Sequence, residues 1–324
     1  MKAKDLLCSS AFMMSAALII SLVTNMSGLF PGEVLTSHIR SNVTIILLAI
    51  MMTLSLSRIP SRDLGPKGHG KQILKSVVLG LVVASAIPII GYLVLSRFPE
   101  YRDYAAGWVF IAATPFAASV GPLSFILRGD MEHAVRSTIY VYIAALLWIP
   151  LVIYLLLGTV VNMTNVVITV IEIIGVPILV SRLITGVKID KTMMAVTLNC
   201  IISFLVWLSV SSTSFSSGWV LLVLFGMIAV LRTFVLGNTV EAVERRMGVH
   251  WSQRVTDILI TSYKNKGIAI ALCVSVLPGP MIPYAMVAVA TSIVVEICWV
   301  AFMDSVLFSK KRMDRELKRE NSEI

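Results

Sequence analysis

The chain has 324 residues, of which 57% are hydrophobic and 14% are charged. Soluble domains carry about 25% charged residues, and their helices keep a polar face, so a soluble helical bundle is excluded. The net charge of +9 lies between the apolar runs and in the tail. That distribution indicates membrane topology and anionic lipid, not nucleic acid.

Apolar runs long enough to cross about 30 Å of hydrocarbon recur along the whole chain. They predict an all-α polytopic membrane protein with ten transmembrane helices. The first run follows two lysines and could also be a signal peptide, but its length and the lack of a cleavage site favour a spanning helix. The predicted spans are 6–28, 41–57, 73–96, 104–127, 136–161, 163–185, 194–213, 217–237, 253–277 and 281–307.

The distribution of lysine and arginine predicts the orientation. With ten spans and a cytoplasmic N-terminus, most of these residues fall on the cytoplasmic side, among them Arg232, Arg245 and Arg246. The opposite side holds only Arg40 and Arg97 with Arg102. Positive residues collect on the cytoplasmic side of membrane proteins, so both termini are predicted inside, most simply in a prokaryotic cell membrane.

The ten spans divide into two sets of five. Because five is odd, the second set enters the membrane from the opposite side, which makes an inverted repeat. The predicted domains are residues 1–162, residues 163–308 and a charged cytoplasmic tail at 309–324. This plan is common among secondary transporters.

Two spans in matching places contain residues that break helices. Span four carries Pro115 and then Gly121-Pro122. Span nine reads "TSYKNKGIAIAL", with Asn265 and Gly267 beside two lysines. Breaks at corresponding positions of two repeats indicate a transport site, because unwound backbone offers free N–H and C=O groups near the midplane. A proline kink that serves only packing is the alternative.

Three segments of the chain resemble the bile acid:sodium symporter family. They are "LLAIMMTLSLS" at the end of span two, Pro115 with "RGD" at 128–130, and "KNKGIAIAL" in span nine. The resemblance covers the layout of all ten spans. It implies a panel of spans one, two, six and seven, and a core of spans three to five and eight to ten. In that core, spans four and nine cross at their unwound centres.

The family's sodium-binding side chains are replaced in this sequence. The positions that correspond to its Glu, Gln and Ser-Asn ligands hold, in this chain, Ile260, Lys264, Val120 and Gly121, and its span-three Gln corresponds to Val83. We therefore predict that the ammonium of Lys264 takes the place of a bound sodium ion. A lysine at mid-membrane costs about 2.5–3.5 kcal/mol on insertion scales, so it needs a partner.

Glu296 is the preferred partner of Lys264, and Glu172 is the second candidate. Lys266 lies about 200° around a regular helix from Lys264 and is expected to have a different role. Both lysines could instead be structural, bound to carbonyl dipoles, or they could lie in a wet vestibule if span nine starts later. The side chains of Thr114, Ser119, Ser124 and Asn265 are the remaining candidates to line the site.

These features predict a secondary transporter of a small organic anion that works by alternating access. Coupling to protons through Lys264, coupling to sodium, and sodium-independent transport all stay open. The alternatives are a membrane sensor or scaffold without transport and a cation/proton exchanger. Arsenite efflux is disfavoured because Phe116 stands where that related family has cysteine. No P-loop, nucleophile elbow or metal-ligand spacing occurs, so neither an enzyme nor a resident metal or cofactor is expected.

Overall fold

A computed structural model describes residues 7, 8, 10–59, 65, 68–185, 187, 190–213 and 218–322. The described part of the chain forms thirteen helices. In chain order they are α1 Ser10–Met26, α2 Ser37–Ser57, α3 Gly70–Leu95, α4 Arg102–Ala113, α5 Val120–Ile126, α6 Met131–Leu157, α7 Met163–Leu183, α8 Lys191–Ser211, α9 Trp219–Arg246, α10 Trp251–Ser262, α11 Lys266–Val276, α12 Gly279–Leu307 and α13 Lys310–Ser322.

Seven helices are long and apolar enough to cross a membrane: α2, α3, α6, α7, α8, α9 and α12. They lie where seven of the spans were predicted, because uninterrupted runs of Leu, Ile and Val leave the backbone no partner in lipid except its own helix. Predicted span one matches the shorter α1. Residues 6 and 9 of that span, and residue 217 of span eight, lie outside the described residues. Predicted spans four and nine are each divided, into α4 and α5 and into α10 and α11.

Several long helices contain a π turn, in which one extra residue widens the helix locally. These turns are Val78–Val83 in α3, Ile171–Gly175 in α7, Leu231–Val235 in α9 and Met303–Leu307 in α12. A π turn displaces a carbonyl from regular helical bonding, and such turns concentrate at functional sites. Those of α3 and α9 lie beside the helix breaks.

The helices pack around one large apolar core, in which α4 is buried from Ala105 to Ala113. Helix α4 contacts α3 on one side and α12 on another. Gly107 makes the second contact possible, since a Cβ atom there would overlap the carbonyl oxygen of Ala285. Outside this group, α1 packs against α8, and α2 packs against α7.

Helix α9 is nine residues longer at its C-terminal end than predicted span eight, because the polar segment after Leu236 continues the helix. Arg232 therefore lies in the middle of α9 and is fully buried. Arg232 was counted among the positive residues of the cytoplasmic side, and that prediction is wrong because its side chain is buried inside the bundle.

The predicted charged tail forms helix α13, which docks on the ends of α9 and α10. Glu316 accepts a hydrogen bond from Arg254 of α10 at 3.0 Å, and it also pairs with Arg245 of α9 at 2.7 Å. Arg312 pairs with Glu241 of α9. These pairs connect the C-terminal helix to one end of the bundle.

Candidate functional site

The two helix breaks lie against each other and pair through their backbones. The N–H of Ala117 donates to the carbonyl of Tyr263 at 2.9 Å, and the N–H of Asn265 donates to the carbonyl of Pro115 at 2.9 Å. Phe116 and Lys264 thus form an antiparallel bridge between the breaks. We call this paired segment, residues 114–119 with 263–265, the crossover.

Proline chemistry explains the break between α4 and α5. The residue before a proline is driven to extended backbone, and Thr114 has φ −73° and ψ 148°. The second disruption expected at Gly121-Pro122 is absent, because both residues lie in the first turn of α5. A proline is tolerated there, since the N–H that it lacks would have no partner within the helix.

The break between α10 and α11 ends at Asn265, which caps α11. Its side chain accepts a hydrogen bond from the N–H of Ile268 at 3.1 Å. Gly267 is not part of the break, contrary to the prediction, because it lies inside the first turn of α11. A Cβ atom at Gly267 would lie 2.7 Å from a methyl group of Leu48, so the glycine allows α2 to approach α11 closely.

The ammonium of Lys264 is enclosed by oxygen atoms, and the residue is only 1% exposed. Its Nζ donates to the carbonyl oxygens of Gly80 at 3.2 Å, Ala112 at 3.2 Å and Thr114 at 2.6 Å. It also donates to Oγ of Ser85 at 3.0 Å. We call these four groups the oxygen cage.

Broken or widened helices supply the carbonyls of the oxygen cage. Gly80 lies in the π turn of α3. Ala112 and Thr114 lie at the C-terminal end of α4, where carbonyls have no partner within the helix. The partial negative charge of such a helix end favours a cation. A Cβ atom at position 80 would lie 3.0 Å from the ring of Phe116, so the glycine also keeps the cage close to the crossover.

Glu296 binds a different pair of cations. One of its oxygens accepts from Nζ of Lys266 at 2.8 Å and from the guanidinium of Arg232. The backbone N–H of Lys264 points to the same oxygen at 3.3 Å, but the Lys264 ammonium does not contact it. The preferred pairing of Lys264 with Glu296 is therefore wrong. The expectation that the two lysines differ in role agrees with their separate surroundings.

Burial excludes the wet vestibule, because Lys264 and Lys266 are 1% and 8% exposed. Arg232 also donates to the carbonyl of Ser262 at 3.2 Å, which anchors α9 to the end of α10. Within the described part of the chain, one carboxylate pairs with this group of three buried cations. We call Arg232, Lys264, Lys266 and Glu296 the cation cluster.

The structure brings only some of the other predicted residues to the crossover. Thr114 contributes its carbonyl, while its hydroxyl donates to Ile111 of its own helix at 3.1 Å. Ser119 lies at the edge of the crossover, is exposed and hydrogen-bonds to Tyr263. Asn265 lies inside it.

Two predicted residues lie elsewhere. Ser124 is buried farther along α5 and contacts Thr256, two turns before the break in α10, at 3.3 Å. Glu172 is exposed on the π turn of α7 and forms no ion pair with any described residue. Glu172 is therefore not the partner of Lys264.

Tyr142 was missed by sequence reasoning. Its hydroxyl donates to the carbonyl of Phe116 at 2.8 Å and accepts from the side-chain amide of Asn265 at 2.8 Å, so it joins the two breaks. An aromatic residue in an apolar run carries no signal of such a role. The sequence did carry such a signal for Arg232, because this charged residue lies between the apolar segments "MIAVL" and "TFVLG".

The sequence model of the Sodium Bile acid symporter family matches residues 43–233, from α2 to the π turn of α9. This match covers more than half of the chain and includes the first break and the oxygen cage. No curated protein matches the sequence. With its seven long apolar helices, the chain is an integral membrane protein that belongs to the sodium bile acid symporter family.

Proposed function

We propose that this protein is a secondary transporter of small organic anions and that it works without sodium at the crossover. The observation that carries the proposal is the oxygen cage around the Lys264 ammonium. Unwound carbonyls and hydroxyls are the groups with which transporters coordinate sodium near the midplane. A cation that belongs to the protein fills this cage, so no ion from solution is needed there.

The charge of the cation cluster supports an anionic substrate. Lys266 and Arg232 share the carboxylate of Glu296, and Lys264 pairs with no carboxylate among the described residues, which leaves positive charge in a dry setting. Buried charge without compensation is costly, and an anion bound near the crossover reduces that cost. A carboxylate or a similar small organic anion is therefore the preferred substrate class.

Helix α2 provides the surface that would move relative to the crossover. Leu48 and Met52 are fully buried, and the sulfur of Met52 lies 3.7 Å from the side-chain amide of Asn265. An anion that reaches the crossover must displace this apolar cover. Separation of the panel from the core would open the site, which is the motion that alternating access requires.

We assign the inverted repeat to residues 1–162 and 163–308, followed by the tail 309–324. The panel is α1, α2, α7 and α8, and the remaining membrane helices form the core. Three relations support the repeat. The two breaks pair with each other, the π turns of α3 and α9 fall in corresponding spans, and the α1–α8 contact corresponds to the α7–α2 contact. Both termini are assigned to the cytoplasmic side of a prokaryotic cell membrane.

Uptake by reconstituted protein tests the function. Proteoliposomes in sodium-free choline buffer are screened with labelled mono- and dicarboxylates. We expect uptake of at least one anion without sodium, and loss of that uptake in folded Lys264→Met. Lys310→Met, a change in the terminal helix, is the matched control and should retain uptake. Uptake that requires sodium in the wild type, or that survives in folded Lys264→Met, contradicts the proposal.

The same preparation separates the alternatives. Anion binding without flux identifies a sensor or scaffold. Sodium-driven acidification or alkalinisation of the vesicle lumen, read with a pH dye in the absence of organic anions, identifies a cation/proton exchanger.

A further inference from the structure

A second buried polar cluster lies between four core helices, at the end of the bundle where α13 docks. It consists of Lys75 from α3, His133 from α6, Glu244 from α9 and Asp257 from α10. Nζ of Lys75 lies 2.6 Å from Glu244 and 2.8 Å from Asp257. Nε2 of His133 lies 2.9 Å from the other oxygen of Asp257. We call these four residues the carboxyl cluster.

The two acids are deeply buried and close to each other. The side chains of Asp257 and Glu244 are 0% and 5% exposed. Both pair with Nζ of Lys75, which brings the two carboxyl groups close to each other. Oε2 of Glu244 is buried and has no hydrogen-bond partner among the described residues. A carboxyl pair of this kind is satisfied when one proton is held between its members.

The charges of the carboxyl cluster also favour one bound proton. Within the carboxyl cluster, the ammonium of Lys75 balances one carboxylate, and a proton on the second carboxyl neutralises the other. Leaving a buried carboxylate uncompensated is costly, whereas a protonated carboxyl also donates a hydrogen bond. The carboxyl cluster can therefore bind one proton.

We propose that Glu244 and Asp257 form a proton-binding site and that the protein carries a proton together with its organic anion. The proton site stands on the geometry above, and only its coupling to transport rests on the proposed function. An anion bound at the cation cluster lowers the positive potential in the core, and this favours retention of the proton at Glu244 while the anion is carried. Lys75, whose side chain is 31% exposed, connects the site with the surface.

The proton site and the cation cluster share two helices. Glu244 and Arg232 are both on α9, twelve positions apart, or roughly 18 Å along a helix at about 1.5 Å per residue. Asp257 lies one turn and a half before the end of α10, where Ser262 binds Arg232. A change of charge at one cluster is thus felt at the other through rigid helices in a medium of low dielectric constant.

Other charged groups surround the site. On α9 and α10, Glu241, Arg245 and Arg254 are paired with Arg312 and Glu316 of α13. The three arginines outnumber the two glutamates, so this group carries one net positive charge of its own outside the carboxyl cluster. Arg136 of α6 is buried one turn beyond His133. Next to His133, Ser137 approaches its Nδ1 at 3.4 Å.

Infrared difference spectroscopy of the purified protein during a pH titration tests proton binding directly. We expect the wild type to show a protonated carboxyl band near neutral pH that is absent in Glu244→Gln. Asp257→Asn is the second variant, and it should shift or remove the same band if Glu244→Gln does not fold. Glu132→Gln, an exposed acid next to His133, should leave the band unchanged. A wild type without the band, or a band that persists in both folded cluster variants, overturns the proposal.

Flux measurements test the coupling. With an anion found by the uptake screen, a pH gradient with an alkaline lumen should drive accumulation several-fold above equilibrium in the wild type. Glu244→Gln should equilibrate the anion without responding to the gradient. Wild-type accumulation that ignores the gradient refutes the coupling. If no anion is transported at all, the proposed function fails, and the infrared band still decides whether the site holds a proton.

Discussion

Replacement of Lys264 by alanine should convert a sodium-independent protein into one that sodium stabilises. The substitution removes the ammonium and leaves three carbonyls and the hydroxyl of Ser85 around an empty space. A sodium ion from solution can then occupy the position that Nζ held. Lys264→Met is the control, because methionine fills the space with an apolar chain and leaves no room for the ion.

The magnitude follows from the hydrogen bonds of the ammonium, whose three protons are shared among four acceptor oxygens. Hydrogen bonds to a charged group contribute about 1.5–3 kcal/mol each, and burial of the ammonium offsets most of their sum. Removal of one member of a buried charged constellation typically costs about 3–5 kcal/mol. We therefore expect both variants to lose about 3 kcal/mol of stability in sodium-free buffer.

Sodium should restore most of that loss in the alanine variant alone. A ligand at 100 times its dissociation constant stabilises a protein by about 2.7 kcal/mol, or roughly 5 °C in the midpoint of unfolding for a chain of this size. Thermal unfolding in detergent, followed by intrinsic tryptophan fluorescence, measures the midpoint. Sodium chloride is titrated against choline chloride at constant ionic strength.

The reasoning is refuted by either of two results. If sodium raises the unfolding midpoint of the wild type by several degrees, the wild type binds the ion although Lys264 already fills the oxygen cage. Alanine and methionine variants that respond equally to sodium show that the space left by the ammonium does not bind it.

Two further substitutions probe the packing that positions the crossover. Tyr142→Phe removes the hydroxyl between Asn265 and the first break and should lower the free energy of unfolding by about 1–3 kcal/mol. Amide exchange at the crossover should become faster. Unchanged exchange would show that the hydroxyl does not join the breaks. Gly107→Val should separate α4 from α12 at Ala285 and lower the yield of folded protein, which size-exclusion chromatography measures. The control Ala106→Gly, at the adjacent buried position, should cost only about 1 kcal/mol of folding stability. Normal folding of the valine variant would contradict the close contact.

Sequence reasoning predicted the membrane helices because each depends on a local property, a long run of apolar residues. It also found both breaks, since Pro115 and the lysine pair interrupt such runs. The length of α9 was underestimated because a helix does not end where its apolar run ends. Arg232 lies within predicted span eight, but its charge was counted on the cytoplasmic side, although the side chain is buried beside Glu296.

The partner of Lys264 could not be read from the sequence, because its ligands are mostly backbone carbonyls. Gly80 and Ala112 offer these oxygens only after a π turn and a helix end have formed, and neither residue type announces that role. Ser85 is one of many serines in the apolar runs. A search restricted to acidic side chains therefore selected Glu296, which binds Lys266 and Arg232 instead.

The pairing of the two breaks is made by main-chain atoms: the N–H of Ala117 with Tyr263, and the N–H of Asn265 with Pro115. Any residue other than proline can supply such groups. The side chain at position 264 can therefore be exchanged while the scaffold that presents it stays intact. On the proposed function, one substitution at this position would replace a tethered charge with a diffusible one, and the energy source of the carrier would change while its architecture stayed the same.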